Sequence, residues 1–114
     1  PGSLTARTRL LLVNAVYFKA RWASEFNVSN TSEQPFHLED GGRVPVPLMH
    51  QRTWAGYLRA NGFEALDLPY RGDALSLLVL LPNQTVGLST FEDTLSSALL
   101  NDVVARMEEQ EVDV

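Results

Sequence analysis

The chain contains no cysteine. That removes disulfides, thiolate catalysis and cysteine-based zinc sites together, and it leaves the redox compartment open. Histidine is scarce: His37 and His50 are the only imidazoles, each in a strand-like segment with no neighbouring ligand at a metal spacing. A trio can be drawn from His50, Asp67 and Ser76, but any chain of this length offers one. No phosphate loop, G-x-S-x-G motif or paired-carboxylate arrangement accompanies it. We therefore read both histidines as structural or surface residues, and expect no enzyme, no metal and no cofactor. Concentrated positive charge is also missing. Nine Lys and Arg stand against fourteen Asp and Glu, a formal net charge of -5, whereas phosphate neutralisation needs a cationic face. The longest apolar run, residues 10–18, is about half of the roughly 20 residues a membrane-spanning helix requires. Neither nucleic acid nor membrane is an expected partner.

What is present is ordinary for one globular domain: 114 residues, 45% hydrophobic and 20% charged, enough for a single core. The chain opens on Pro1-Gly2 and stops at Glu111-Val112-Asp113-Val114, an alternation that reads as a strand already under way. The expectation is a piece of something larger. Residues 10–18, LLLVNAVYF, are short, continuous and rich in β-branched and aromatic side chains, the pattern of a strand covered on both faces. Asn14 shares a face there with Leu10, Leu12, Val16 and Phe18. Left without partners, its buried amide would cost roughly 1–3 kcal/mol, so something must hydrogen-bond it.

Strand-like runs follow at residues 35–38 and 44–49, joined by Asp40-Gly41-Gly42, a strong hairpin signal. Pro45 and Pro47 have the same parity and can both turn their missing N–H outward, which marks an edge strand. Three more strands are expected at 53–59, 63–70 and 74–81. The last two form a tight hairpin around Arg71-Gly72-Asp73. Residues 75–81 are apolar on both parities, so they are expected deep in a core. Ser89-x-x-Glu92 then reads as a capping box, and Leu95, Leu99, Val103 and Met107, with Leu100 and Val104 beside them, form one helical stripe. One or two helices close the sequence before the final strand.

Arg71-Gly72-Asp73 also spells the tripeptide that integrins recognise. The turn alone calls for these residues, Gly for backbone freedom and polar neighbours for solvent, and we assign them to the turn. Three glycosylation acceptors occur, at Asn27-Val28-Ser29, Asn30-Thr31-Ser32 and Asn83-Gln84-Thr85. About one would be expected by chance, and all three lie in polar linkers, which favours secretion.

Taken in order, Leu12-Val13-Asn14-Ala15-Val16-Tyr17-Phe18-Lys19, Trp22, Phe26, Pro35-Phe36, Val46-Pro47-Leu48-Met49 and Leu68-Pro69-Tyr70-x-Gly72-x-x-x-Ser76-x-x-x-Leu80-Leu81-Pro82 resemble the serpins. The resemblance covers essentially the whole chain in family order and spacing. Residues 68–82 with Leu88-Ser89 are most similar to secreted members of the plasminogen activator inhibitor and neuroserpin kind. Ala20 stands where the family usually has Gly, and Leu48 where Met is commoner. The resemblance implies an α+β fold: a strand of the central sheet A at 10–21, two strands of sheet C at 35–51, three strands of sheet B, two short helices, and entry into another sheet C strand at 112–114. It further implies that residues 1–114 are a partial domain, lacking the N-terminal helices, the reactive loop and the C-terminal strands. By the same resemblance Trp22 is the tryptophan of the breach, where loop insertion into the central sheet begins, and Asn14 the asparagine of the shutter, where the central strands part. The bland alternative for Trp22 is a packed aromatic. The implied activity is inhibition of serine proteases as a suicide substrate, with a serine protease as partner and an extracellular location; a non-inhibitory carrier or chaperone is the alternative.

Overall fold

The structure is a computed structural model and describes residues 17–114. The expected strand at 10–18, and Asn14 with it, lies outside the described residues apart from Tyr17 and Phe18, which are exposed and pair with no strand. The described part opens with a 3-10 turn, Val28–Asn30, and continues through β1 (Ser32–His37), β2 (Arg43–Leu48), β3 (Arg52–Ala60), β4 (Phe63–Pro69) and β5 (Ser76–Pro82). Helices α1 (Leu88–Glu92) and α2 (Ser97–Arg106) precede β6 (Glu108–Asp113). Strands β1 and β2 form a two-stranded sheet, and the other four make an antiparallel sheet in the order β5-β4-β3-β6.

The β1–β2 hairpin closes through Asp40-Gly41-Gly42 as expected. Gly41 takes φ 88, and the Asp40 carboxylate accepts the Gly42 N–H at 2.7 Å. The Leu38 N–H donates to the Gly42 carbonyl at 2.7 Å, and this sets the phase of the ladder. Antiparallel pairs alternate between hydrogen-bonded and open, so the register Pro35↔Pro45 and Glu33↔Pro47 falls on open pairs. All three prolines therefore sit where an N–H would have pointed away from the partner strand.

In the larger sheet β3 and β4 turn at Asn61-Gly62, with Gly62 at φ 91, and β4 and β5 turn at residues 71–75, with Gly72 at φ 94 and Asp73 at φ 58. Only Gly reaches such angles without a Cβ penalty, and Asp is among the few others that visit them. One sheet face carries the helices. Phe91 of α1 tilts against Phe63 with ring centroids 5.0 Å apart, and a Cβ added at Gly56 would come within 3.9 Å of the Met107 methyl carbon. Among the described residues the buried apolar ones are Ala55, Ala65, Leu68, Phe91 and Val103. They come from the two inner strands and the two helices. Across the sheet the Tyr57 hydroxyl donates to Glu64 at 2.7 Å, and this bond to the neutral phenol raises the Tyr57 pKa above its usual value. At the far edge Arg52 grips its register partner Asp113 through Nε and Nη2 at 3.0 and 3.2 Å. That bond holds the Asp113 carboxyl below the usual carboxylate range.

Four expectations change. Residues 75–81 are not deep: β5 is a sheet edge, and Leu75, Leu77, Val79 and Leu81 are 60%, 42%, 38% and 62% exposed. An apolar pattern on both parities reports what a strand is built to meet, and among the described residues nothing covers that face. Ser89 and Glu92 form no capping box, because α1 starts two residues earlier, after Gly87 at φ 76, with no side-chain cap. The hydroxyl cap belongs to α2, where Ser96 Oγ accepts the Leu99 N–H at 3.1 Å. The terminal strand begins at Glu108 and pairs with β3, not with the sheet of β1 and β2. His50 lies in the loop after β2 rather than in a strand.

On α2 the expected stripe holds at its centre, where Val103 is 0% exposed while its neighbour Val104 is 61% exposed. Val103→Ala should lower the unfolding free energy by about 2 kcal/mol, from the lost methyl groups and the void they leave. Val104→Ala should leave it within about 0.5 kcal/mol. Urea unfolding of the two variants side by side makes the comparison, and equal effects would place the helix differently on the sheet.

Candidate functional site

The residues preceding the 3-10 turn dock on the end of β4. The Arg71 N–H donates to the Arg21 carbonyl at 2.8 Å and the Ala23 N–H to the Pro69 carbonyl at 3.0 Å. These two bonds flank an isolated antiparallel bridge between Trp22 and Tyr70. In this arrangement Trp22 and Tyr70 are the open pair, the kind in which facing side chains come closest. Their rings stack accordingly, with centroids 4.8 Å apart and planes 11° from parallel. Phe18 meets Tyr70 edge-on at 5.1 Å and Phe26 meets Trp22 edge-on at 6.3 Å. Aromatic pairs of this kind contribute about 0.5–1.5 kcal/mol beyond the area they bury. Trp22 is half-buried, so it packs and still reaches the surface.

Beside the stack lies a cleft of about 160 Å³ lined by Trp22, Phe26, Thr53, Trp54 and Leu68 among others. Its rim is polar. Ser24 Oγ donates to Gln51 Oε1 at 2.9 Å, and Gln51 Nε2 returns a bond to the Ser24 carbonyl at 3.0 Å. Glu25 lies between two guanidinium groups, 3.1 Å from Arg71 and 3.9 Å from Arg21. All three side chains are more than half exposed, so these ion pairs add specificity of docking more than stability.

The other sequence-predicted residues are dispersed. Arg71, Gly72 and Asp73 make the β4–β5 turn, with Arg71 tied to Glu25 and the Asp73 N–H donating to the Tyr70 carbonyl at 3.1 Å. Both charged residues serve the turn and its docking. Asn27 and Asn30 bracket the 3-10 turn, where Asn27 Oδ1 accepts from the Ser29 N–H and hydroxyl at 3.0 and 2.9 Å. Asn83 Oδ1 accepts the Val86 N–H at 2.8 Å in the loop after β5. All three asparagines are exposed. His37 is exposed on β1. Asp67 and Ser76 line one cleft without His50, which lies in the loop between β2 and β3. The described residues hold no group of three or more His, Asp or Glu placed to share a metal ion, and no described helix is long and apolar enough to cross a membrane.

The family resemblance singled out Trp22, and the turn singled out Arg71; Tyr70, Glu25 and Gln51 were not placed beside them. No local pattern announces a stack between residues so far apart in sequence; Tyr70 was visible only as part of the Leu68-Pro69-Tyr70 motif.

Comparison with known proteins gives a consistent picture. The family model for Serpin (serine protease inhibitor) matches residues 1–114. Mouse antithrombin-III is 37% identical over 109 residues, covering 95% of this chain and 23% of that protein. Rat neuroserpin is 35% identical over 122 residues, covering 100% of this chain and 30% of that protein. A crystal structure of thyroxine-binding globulin complexed with a thyroxine–fluorescein conjugate superposes with a TM-score of 0.77 at 27% identity, over 84% of this chain and 29% of that one. The chain thus spans 30% or less of the length of these relatives.

The stack makes a local prediction. In a Trp54→Phe background, where Trp22 is the sole indole, Tyr70→Ala should shift its fluorescence to the red and reduce near-UV dichroism. It should also cost about 1 kcal/mol of stability. Arg71→Ala should change stability by less than about 0.5 kcal/mol. An unchanged Trp22 spectrum in Tyr70→Ala would remove the stack.

Proposed function

The chain belongs to the serpin family, and from that premise we propose that it is part of a serine-type endopeptidase inhibitor acting as a suicide substrate. The observation that carries this reading is the match over residues 1–114, together with the half-buried Trp22 stacked on Tyr70 at the position that resembles the breach. The family is itself the standing example of strand addition by an inserted loop, and the mechanism is borrowed from it. A protease cleaves an exposed loop and is held as an acyl-enzyme. The loop then enters the central sheet, and the released strain distorts the enzyme. Residues 1–114 would be a partial serpin domain contributing framework, with neither the cleaved bond nor the hinge.

Within that reading, Trp22 and Tyr70 fix the end of β4 against the segment leading from the central strand, so that the sheet opens from a defined point. Asn14 would supply the polar contact that breaks and re-forms as the strands part. A carrier without inhibitory activity is the second reading, favoured by the likeness to thyroxine-binding globulin. The three exposed acceptors Asn27, Asn30 and Asn83 support an extracellular glycoprotein.

The longer protein incubated with trypsin-, chymotrypsin- and elastase-like enzymes should give an SDS-stable covalent complex, and Trp22→Ala should divert turnover toward cleaved, uncomplexed inhibitor. No complex with any of these proteases would turn the assignment to the carrier. Expressed through a secretory pathway, the protein should lose mass on enzymatic deglycosylation, and Thr85→Ala should remove one glycan's share. An unglycosylated secreted product would withdraw all three acceptors.

A further inference from the structure

Two hairpin turns place a glycine directly after a residue whose side-chain carbonyl carbon lies within reach of the next peptide nitrogen: Asp40-Gly41 and Asn61-Gly62. Glycine matters because it puts no Cβ beside that nitrogen. In sequence the two pairs are of one kind, but the structure holds them differently. At the first, the Gly41 N–H donates to the Leu38 carbonyl at 3.1 Å and the Asp40 carboxylate accepts the Gly42 N–H at 2.7 Å. Both reacting groups are engaged. At the second, the Gly62 N–H meets no acceptor and the Asn61 carboxamide no partner among the described residues. One bond restrains Gly62, from the Asn83 N–H to its carbonyl at 2.9 Å.

No other described asparagine combines these conditions. Asn27 precedes Val28 and its Oδ1 accepts from Ser29, while Asn30 precedes Thr31, whose N–H donates to the Val28 carbonyl at 3.0 Å. Asn83 precedes Gln84 and its Oδ1 accepts the Val86 N–H. Asn101 lies within α2, where the following N–H belongs to the helix ladder. Asn61 is exposed, followed by glycine and unengaged. Its turn also bears on the packing, because Phe63 follows directly and meets Phe91 with ring centroids 5.0 Å apart. A Cβ added at Gly62 would come within 3.1 Å of Val86.

We propose that Asn61 is a covalent modification site, at which the folded protein deamidates through a succinimide while Asp40 stays intact. The Gly62 nitrogen attacks Asn61 Cγ: the new N–Cγ bond forms as the Cγ–Nδ2 bond breaks, and ammonia leaves with the proton from the Gly62 N–H. Water then opens the ring. Addition at Cγ gives aspartate, and addition at the Asn61 main-chain carbonyl gives isoaspartate, with the backbone rerouted through the side chain. Overall an amide and water become a carboxylate and ammonium. Either product adds a negative charge to a chain already at -5. Isoaspartate also inserts a methylene into a two-residue turn, so the closing pair Ala60↔Phe63 and the Asn83 bond cannot both keep their geometry. The enzyme class that fits this product is an isoaspartyl carboxyl methyltransferase. The inference is independent of the inhibitor reading, since every group it uses lies in two local turns.

The longer protein, produced without glycans and held at body temperature and mildly alkaline pH, tests it by tryptic mapping beside the same protein unfolded in guanidinium chloride. Only the bond at Gly62 must break at Asn61, so folding should slow its deamidation by no more than about tenfold; two must break at Asp40, so folding should slow its isomerisation by roughly a hundredfold. In the native protein the mass gain of amide-to-acid exchange should fall in residues 60–71, while Asn27, Asn30, Asn83 and Asn101 keep their amides. Isoaspartyl methyltransferase should label the same peptide, and Asn61→Gln should abolish that label. If this variant fails to fold, the wild-type map decides by itself. Asn61 slowed on folding as far as Asp40 overturns the proposal, and cover by segments outside the described residues would show in this way. So does native deamidation that begins at another of the described asparagines, or label in residues 60–71 that persists in Asn61→Gln.

Discussion

Backbone pairing along β3 and β4 is what the remainder of this structure hangs on. These two strands are paired on both sides, and they supply Ala55, Ala65 and Leu68, three of the five buried apolar residues among those described. Ala65 shares the helix-bearing face with Phe63 and Gly56, whereas Ala55 and Leu68 fall on the opposite face by register; the helices add Phe91 and Val103. The ladder of hydrogen bonds and its turns sets the geometry that these side chains share. Small residues follow from the same layout: at Gly56 an added Cβ would come within 3.2 Å of the Asp67 Cβ across the ladder, tighter than ordinary contact.

The candidate site inherits its precision from that ladder. Tyr70 directly follows β4, so its ring is placed by the strand's register, and Trp22 is placed in turn by two backbone bonds to Pro69 and Arg71. An aromatic stack held by peptide groups on both sides is stiff where it must be and reversible as a whole, since its segment is otherwise fastened by exposed polar contacts. Glu25 with Arg71 and Ser24 with Gln51 are individually weak in water. The segment's placement on β4 therefore rests mainly on the stack and its two backbone bonds.

Much of this was legible in the sequence where the signal is local. Asp40-Gly41-Gly42 and Arg71-Gly72-Asp73 named their turns because positive φ restricts the residues allowed, and the four-residue recurrence through Leu99 and Val103 named α2. Asn61-Gly62 is a local signal of the same kind, since Gly62 also takes a positive φ. The helix starts were less so: Ser89 and Ser96 look alike in sequence, and only the path of the chain after Gly87 decides which hydroxyl finds an amide. Sheet membership was not legible at all. β6 pairs with β3 through partners such as Thr53 and Val112, and nothing in either segment alone specifies the other. The Trp22–Tyr70 stack is hidden for the same reason.

The exposure of β5 departs furthest from its sequence pattern. Period-two patterning reports the surfaces a strand is adapted to touch, and Leu75, Leu77, Val79 and Leu81 are adapted to touch something apolar. Whether that surface belongs to the same chain is a separate question. The guards on the edges help to answer it. Prolines at 35, 45 and 47 and carboxylates at 109, 111 and 113 are what sequences carry where a strand must end a sheet in water, and a strand that must end in water does not read SLLVLL. The composition of β5 is therefore that of an interior strand, although it stands at an edge of the described sheet with Leu75, Leu77, Val79 and Leu81 exposed.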